Sequence, residues 1–222
     1  MKTMEQVQRL ITEKKFEEAA KVLDRAISEY PNDPAGYTNF GNLLIAMGEN
    51  ARAVNFFKKA LELDPSYGSA AFGYGNAQFE RGRYAEALTQ FADAQRAGIN
   101  DGDLFYMIGR SASELGHAGQ ALAAFQRSVE LNETDTEARF QYALSLARLG
   151  DVDAAEKQFL TVIEADAAHA DAYYNLGVIA AFRDQITKAR RLLHKALELS
   201  PNHILAANGL KSLDKQQTDR QN

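Results

Sequence analysis

The sequence predicts an all-α protein: six helix pairs in a row, then one closing helix. Three columns of residues, each recurring every 34 positions, carry that reading. Alanine recurs without insertion at Ala19, Ala53, Ala87, Ala121, Ala155 and Ala189. A bulky apolar residue recurs at Leu23, Phe57, Phe91, Phe125, Phe159 and Leu193. A small residue recurs at Gly41, Gly75, Gly109, Ala143 and Gly177. Small side chains let two helix backbones approach, and the phenylalanines fill the volume between neighbouring pairs.

The register sets the repeats at about 1–33, 34–67, 68–101, 102–135, 136–169 and 170–203. A closing helix follows over 204–215, then a polar tail, 216–222, whose composition predicts disorder. The first repeat is atypical, with Val7 and Lys14 where later repeats carry glycine. In the second, Tyr37, Phe40 and Leu44, then Ala53, Phe57, Ala60 and Leu61, keep the three-and-four spacing of two amphipathic helices. Gly48, Gly82, Gly116 and Gly150 fall where the first helix of a pair ends, a place that favours positive φ. Lys14 and Asp184 break that column, which predicts weaker turn geometry there. Between repeats, Asp33-Pro34, Asp64-Pro65 and Ser200-Pro201 join capping side chains to prolines that punctuate helices. Ile99, Glu133 and Ala167 stand where the pattern expects proline.

Composition narrows the function. Across 222 residues the net charge is −5, which argues against a nucleic-acid binder because phosphate contacts need a basic face. The one basic cluster, Lys188, Arg190, Arg191, His194 and Lys195, reads as the solvated face of a late helix, with a basic docking patch as the alternative that nothing in the sequence supports. Cysteine is absent, which excludes disulfides, thiolate metal sites and cysteine nucleophiles. No apolar run reaches the length of a membrane span, and the first residues lack the pattern of a secretory signal. The expectation is a cytoplasmic protein without cofactor or metal.

The stretch Tyr37, Phe40, Gly41, Leu44, Ala53, Phe57, Ala60, Pro65 resembles the tetratricopeptide repeat (TPR) signature. The resemblance runs from about Lys2 to His203, and residues 204–215 resemble the lone helix that closes many such arrays. It implies a right-handed α-solenoid whose first helices line a concave face and bind another protein. Segments 102–109, 129–141 and 169–178 are similar to a small stand-alone bacterial member of the family. That likeness implies a cytosolic scaffold serving an enzyme assembly such as that of tRNA thiolation.

Candidate binding residues are those on the first helices that packing does not require. In repeat two they are Ala35, Thr38, Asn42 and Ile45. The Asn42 column continues through Asn76 and Arg110. An asparagine amide both donates and accepts, so two in line suit the main chain of an extended peptide, and the Arg110 fork suits a carboxylate. The Thr38 column continues as Phe72, Tyr106, Phe140 and Tyr174. Packing between adjacent first helices and contact with a ligand both account for those aromatics. Arg139 occupies a column otherwise held by Tyr37, Phe105 and Tyr173, so its charge needs water, a partner or a ligand anion. Snorkelling to solvent is the simpler reading, Arg148 and Gln141 nearby keep the anion open as the other, and Asn175 completes the candidate set. The Thr38 column carries no lysine, which disfavours the clamp that some TPR proteins close on chaperone tails.

An enzyme is not expected. His117, His169, His194 and His203 read as surface punctuation, and no helix carries a His-Glu-x-x-His pair. Gly73-Tyr74-Gly75 lies inside a helix and reads as packing. The rival to a peptide-binding adaptor is a structural or self-assembling module whose ends or convex face make the contacts.

Overall fold

The computed structural model describes the backbone of residues 2–221 and the side chains of residues 5–215. The described residues form thirteen helices and no strand. They are α1 (Lys2–Thr12), α2 (Phe16–Glu29), α3 (Pro34–Ala46), α4 (Asn50–Leu63), α5 (Gly68–Glu80), α6 (Tyr84–Arg96) and α7 (Gly102–Glu114). Then come α8 (Ala118–Leu131), α9 (Thr136–Arg148), α10 (Val152–Ala165), α11 (Ala170–Phe182), α12 (Ile186–Leu199) and α13 (Ile204–Gln221). Two compact units divide the chain, residues 1–121 and 122–222, with the boundary inside α8.

Within residues 1–121, α2, α4 and α6 bury the alanine and bulky apolar columns completely. Ala19, Leu23, Ala53, Phe57, Ala87 and Phe91 are all 0% exposed. Gly41 and Gly73 both lie at the far edge of the Phe57 ring, where a Cβ would stand 2.7 and 2.4 Å from ring carbons. Gly75 meets Phe91 in the same way. The two glycines of Gly73-Tyr74-Gly75 therefore serve two successive phenylalanines, and α5 packs against both α4 and α6. Each such ring contributes ~1.5–3 kcal/mol by burial.

Within residues 122–222 the same device continues, with Leu193 in place of phenylalanine in the last repeat. Ala155, Phe159 and Ala189 are 0% exposed, and Leu193 stands within reach of both Gly177 and Gly209. Polar contacts reinforce the apolar seam. Arg183, at the end of α11, donates to Asp153 and Glu156 of α10, and Lys188 Nζ of α12 donates to Glu156 at 2.9 Å.

The turns show which side chains matter. Gly48, Gly82, Gly116 and Gly150 have φ between 71° and 89°. Lys14 and Asp184 take φ of 57° in the same column, so the turn geometry survives the loss of glycine at a backbone cost of about 1 kcal/mol. Proline is dispensable too. α4 and α12, followed by Pro65 and Pro201, end with φ of −142° and −134°, and α10, followed by Ala167, ends with φ of −132°. α6 differs and closes with Gly98 at φ 98° before Ile99.

Asp33, Asp101 and Asp135 cap α3, α7 and α9, each accepting a backbone N–H at 2.9 Å. Asp64 instead terminates α4 and accepts both the N–H and the hydroxyl of Ser66, which lowers its pKa. α13 runs past residue 215 to Gln221, so the helix takes in positions assigned to a disordered tail. The side chains beyond 215, and Asn222, lie outside the described residues.

Candidate functional site

In residues 1–121, α5 touches α3 on one side and α7 on the other, so three first helices form one face. By their 34-residue register, Asn42 of α3, Asn76 of α5 and Arg110 of α7 occupy one column of these helices, and Phe72 of α5 and Tyr106 of α7 another. Asn42 is exposed and makes no hydrogen bond within the described residues. Its Oδ1 comes close to α5, since a Cβ at Gly73 would lie 3.1 Å from it. Asn76 is half-buried, and its Oδ1 is buried with no hydrogen-bond partner. A buried acceptor left unpaired costs ~1–3 kcal/mol, whereas the helix around it is otherwise satisfied. Asn50, at the start of α4, also has a buried Oδ1 without a partner, whereas two other half-buried helix asparagines settle locally: Asn39 and Asn175 donate Nδ2 to the carbonyls of Ala35 and Asp171 at 2.7 and 2.8 Å. Asn76 does not.

Arg110 is held by aromatics rather than by a carboxylate. Its guanidinium lies 4.9 Å from the Phe79 ring centre and 5.7 Å from that of Tyr106, and donates to the Tyr106 hydroxyl at 3.3 Å. The contacts fix the fork and leave its charge unneutralised by any ion pair within the described residues. Phe72 is half-buried and packs on Phe91 at 5.8 Å between centroids, tilted by 47°. Thr38 departs from the expectation of a binding residue: it is 3% exposed, and its hydroxyl donates to the Pro34 carbonyl at 2.9 Å. A short hydroxyl on a helix returns to the carbonyl one turn back, which spends its donor.

The candidates in residues 122–222 are largely occupied by packing. Phe140 is 8% exposed, with Phe159 at 5.7 Å and the His169 ring at 4.5 Å. Tyr174 repeats the relation with His203 at 5.0 Å. Phe140 therefore offers no free face, and Tyr174 is half-buried. Arg139 is not poised for an anion either. It donates to Gln158 Oε1 and to the Glu133 carbonyl, both at 2.9 Å, so its own chain supplies the partners that a buried charge needs. Gln141 donates to Glu137 at 2.8 Å and shares no hydrogen bond with Arg139 among the described residues. Arg148 is exposed in the last turn of α9, where the helix dipole favours a cation.

Two histidines have a role the sequence reading missed. His169 and His203 cap α11 and α13, each accepting a backbone N–H through Nδ1 at 3.2 Å, while the ring covers the aromatic on the first helix of its own repeat, Phe140 or Tyr174. The signal was their own 34-residue spacing, matched to that of Phe140 and Tyr174. Asp171 Oδ1 stands 3.1 Å from His203 Nε2, close but not aligned as a hydrogen bond. Among the described residues no three His, Asp or Glu side chains converge as metal ligands would. None of the helices described is long and apolar enough to cross a membrane.

The geometry has counterparts among known proteins. A tetratricopeptide repeat model matches residues 38–102, 106–167 and 142–204. YrrB, described as a TPR protein with an unusual peptide-binding site, is 46% identical over 85% of this chain and 97% of its own, with a TM-score of 0.77. PilF of Pseudomonas aeruginosa is 16% identical over 95% of this chain and 96% of its own, with a TM-score of 0.84. MamA is 20% identical over 72% of this chain and 94% of its own, with a TM-score of 0.68. These last two share the fold alone. No curated protein matches the chain. Repeat register, glycine–phenylalanine packing and the YrrB identity converge: the chain belongs to the tetratricopeptide repeat family, which generally mediates protein–protein interaction.

Proposed function

We propose that this protein is an adaptor that holds an extended segment of a partner protein against the face formed by α3, α5 and α7. The observation that carries the reading is the Asn76 amide, half-buried with an acceptor that nothing among the described residues satisfies, together with an Asn42 amide on the preceding first helix that is also unbonded. Turning the Asn76 amide about its terminal torsion exchanges oxygen and nitrogen, so the pair can present donors and acceptors to a peptide main chain. Arg110 then meets a carboxylate, and the exposed parts of Phe72 and Tyr106 supply apolar contact. Two such contacts at ~1.5–3 kcal/mol and a few hydrogen bonds at ~1 kcal/mol, less ordering costs, correspond to roughly micromolar affinity. The peptide-binding site ascribed to YrrB supports this reading. A cytosolic enzyme assembly, such as that of tRNA thiolation, is one source of such a segment.

Affinity purification with wild type and with an Asn42→Ala, Asn76→Ala variant tests it, partners being identified by mass. The reading expects one or more partners to be lost while the melting curve is retained. Identical partners at identical affinity would sink it. The structural or self-assembling alternative draws on one observation: Phe182, Ile204 and Leu205 are 79%, 73% and 57% exposed. Concentration-dependent oligomerisation abolished by Phe182→Ser would favour that alternative.

A further inference from the structure

Residues 122–222 carry a recess that the binding face above does not use. It lies where α10, α11 and α12 meet, is open to solvent with a volume of about 730 Å³ and has Leu160, Ile163, Tyr173, Leu176 and Leu192 as its apolar lining. That volume lies within the ~300–1,000 Å³ of sites that enclose compact ligands. Leu160 is 41% exposed, an aliphatic side chain left against solvent at the mouth.

The mouth is basic although the chain is acidic. Lys188, Arg191 and Lys195 line it from one stripe of α12, with Glu198 the one carboxylate lining it. Lys188 Nζ is paired with Glu156 at 2.9 Å and Lys195 Nζ with Glu198 at 3.1 Å. Arg191 and His194 are exposed and have neither ion pair nor hydrogen bond within the described residues. One unengaged guanidinium therefore stands beside an apolar recess, in a chain of net charge −5.

We propose that this recess docks a short acidic segment of another protein, with one bulky apolar side chain entering between Leu160 and Leu192 and a neighbouring carboxylate meeting Arg191. A guanidinium fork without a competing carboxylate is matched to that group. A nucleic acid or an anionic bilayer fits less well, because the paired lysines leave too few free cations for repeated phosphate contacts. The docking is independent of Asn42 and Asn76.

Fluorescence anisotropy with the full chain tests the proposal. The probe is a labelled synthetic peptide of aspartate and glutamate around a central tryptophan. Saturable binding is expected, weakened about tenfold or more by Arg191→Glu and likewise by Leu160→Asp. Replacing the probe's tryptophan with alanine should weaken it similarly, and Asn42→Ala, Asn76→Ala should leave it unchanged. Both substitutions in α10 and α12 are at exposed positions, and melting curves confirm that each variant folds. Three results overturn the proposal: no saturable binding up to ~1 mM, equal binding by wild type and both variants, or tighter Arg191-dependent binding of phosphatidylserine vesicles or a single-stranded oligonucleotide than of the peptide.

Discussion

The edge of the Phe57 ring lies so close to Gly73 that a Cβ there would stand 2.4 Å from its Cε1. The contact joins the second helix of one repeat to the first helix of the next, so it sets the spacing between pairs. Gly73→Ala improves helix propensity by ~1 kcal/mol but forces the buried ring to move. The net expectation is a loss of about 1–2 kcal/mol, read as a lower urea midpoint with an unchanged slope.

Lys14 and Asp184 hold the positive φ that glycine holds at the other turns. Lys14→Gly and Asp184→Gly should each raise stability by about 0.5–1 kcal/mol, because the relief of left-handed strain exceeds the added chain entropy. Gly150→Ala should move it the other way by a similar amount. Thermal unfolding of the three variants checks the signs.

Glu156 gathers Lys188 and Arg183, and hydrogen bonding by Lys188, then by Arg183, lowers its pKa below the usual 4.5 against the opposing effect of burial. A folded-state pKa below the unfolded value stabilises the fold above the ordinary glutamate range, and that contribution disappears as pH falls through the lowered value. Glu156→Gln should therefore cost about 1–2 kcal/mol at neutral pH. The gap between variant and wild type should close below pH 4.5. A gap that is constant with pH would show that the charge contributes nothing.

Arg139 spends its guanidinium on Gln158 and the Glu133 carbonyl. Arg139→Ala should lower stability by about 1–2 kcal/mol and leave partner affinity unchanged. Loss of affinity without loss of stability would return Arg139 to the binding residues.

The repeat was legible because its columns answer to backbone geometry. An alanine at 0% exposure, or a glycine under a phenylalanine edge, admits few substitutes, so the pattern survives in the sequence. Turn positions are less strict, as Asp184 and Ala167 show, since neighbouring packing imposes the conformation at small cost. The candidate face was legible in part. Column arithmetic placed Asn42, Asn76 and Arg110 on successive first helices, whereas it could not tell that Thr38 bonds its own helix or that His169 covers Phe140. Those outcomes depend on rotamers and on the helix that follows the repeat. Arg139 misled for a similar reason: a charge in an apolar column reads as unpaired until Gln158, on the neighbouring helix, comes into view.

The central claim is that the unbonded amides of Asn42 and Asn76 grip a partner's main chain. It is tested most directly by titrating a partner segment, recovered by affinity purification, into wild type and into the Asn42→Ala, Asn76→Ala variant. The account predicts a dissociation constant at least about tenfold weaker for the variant, about 1.4 kcal/mol, with the same melting temperature in both. Equal dissociation constants would contradict it.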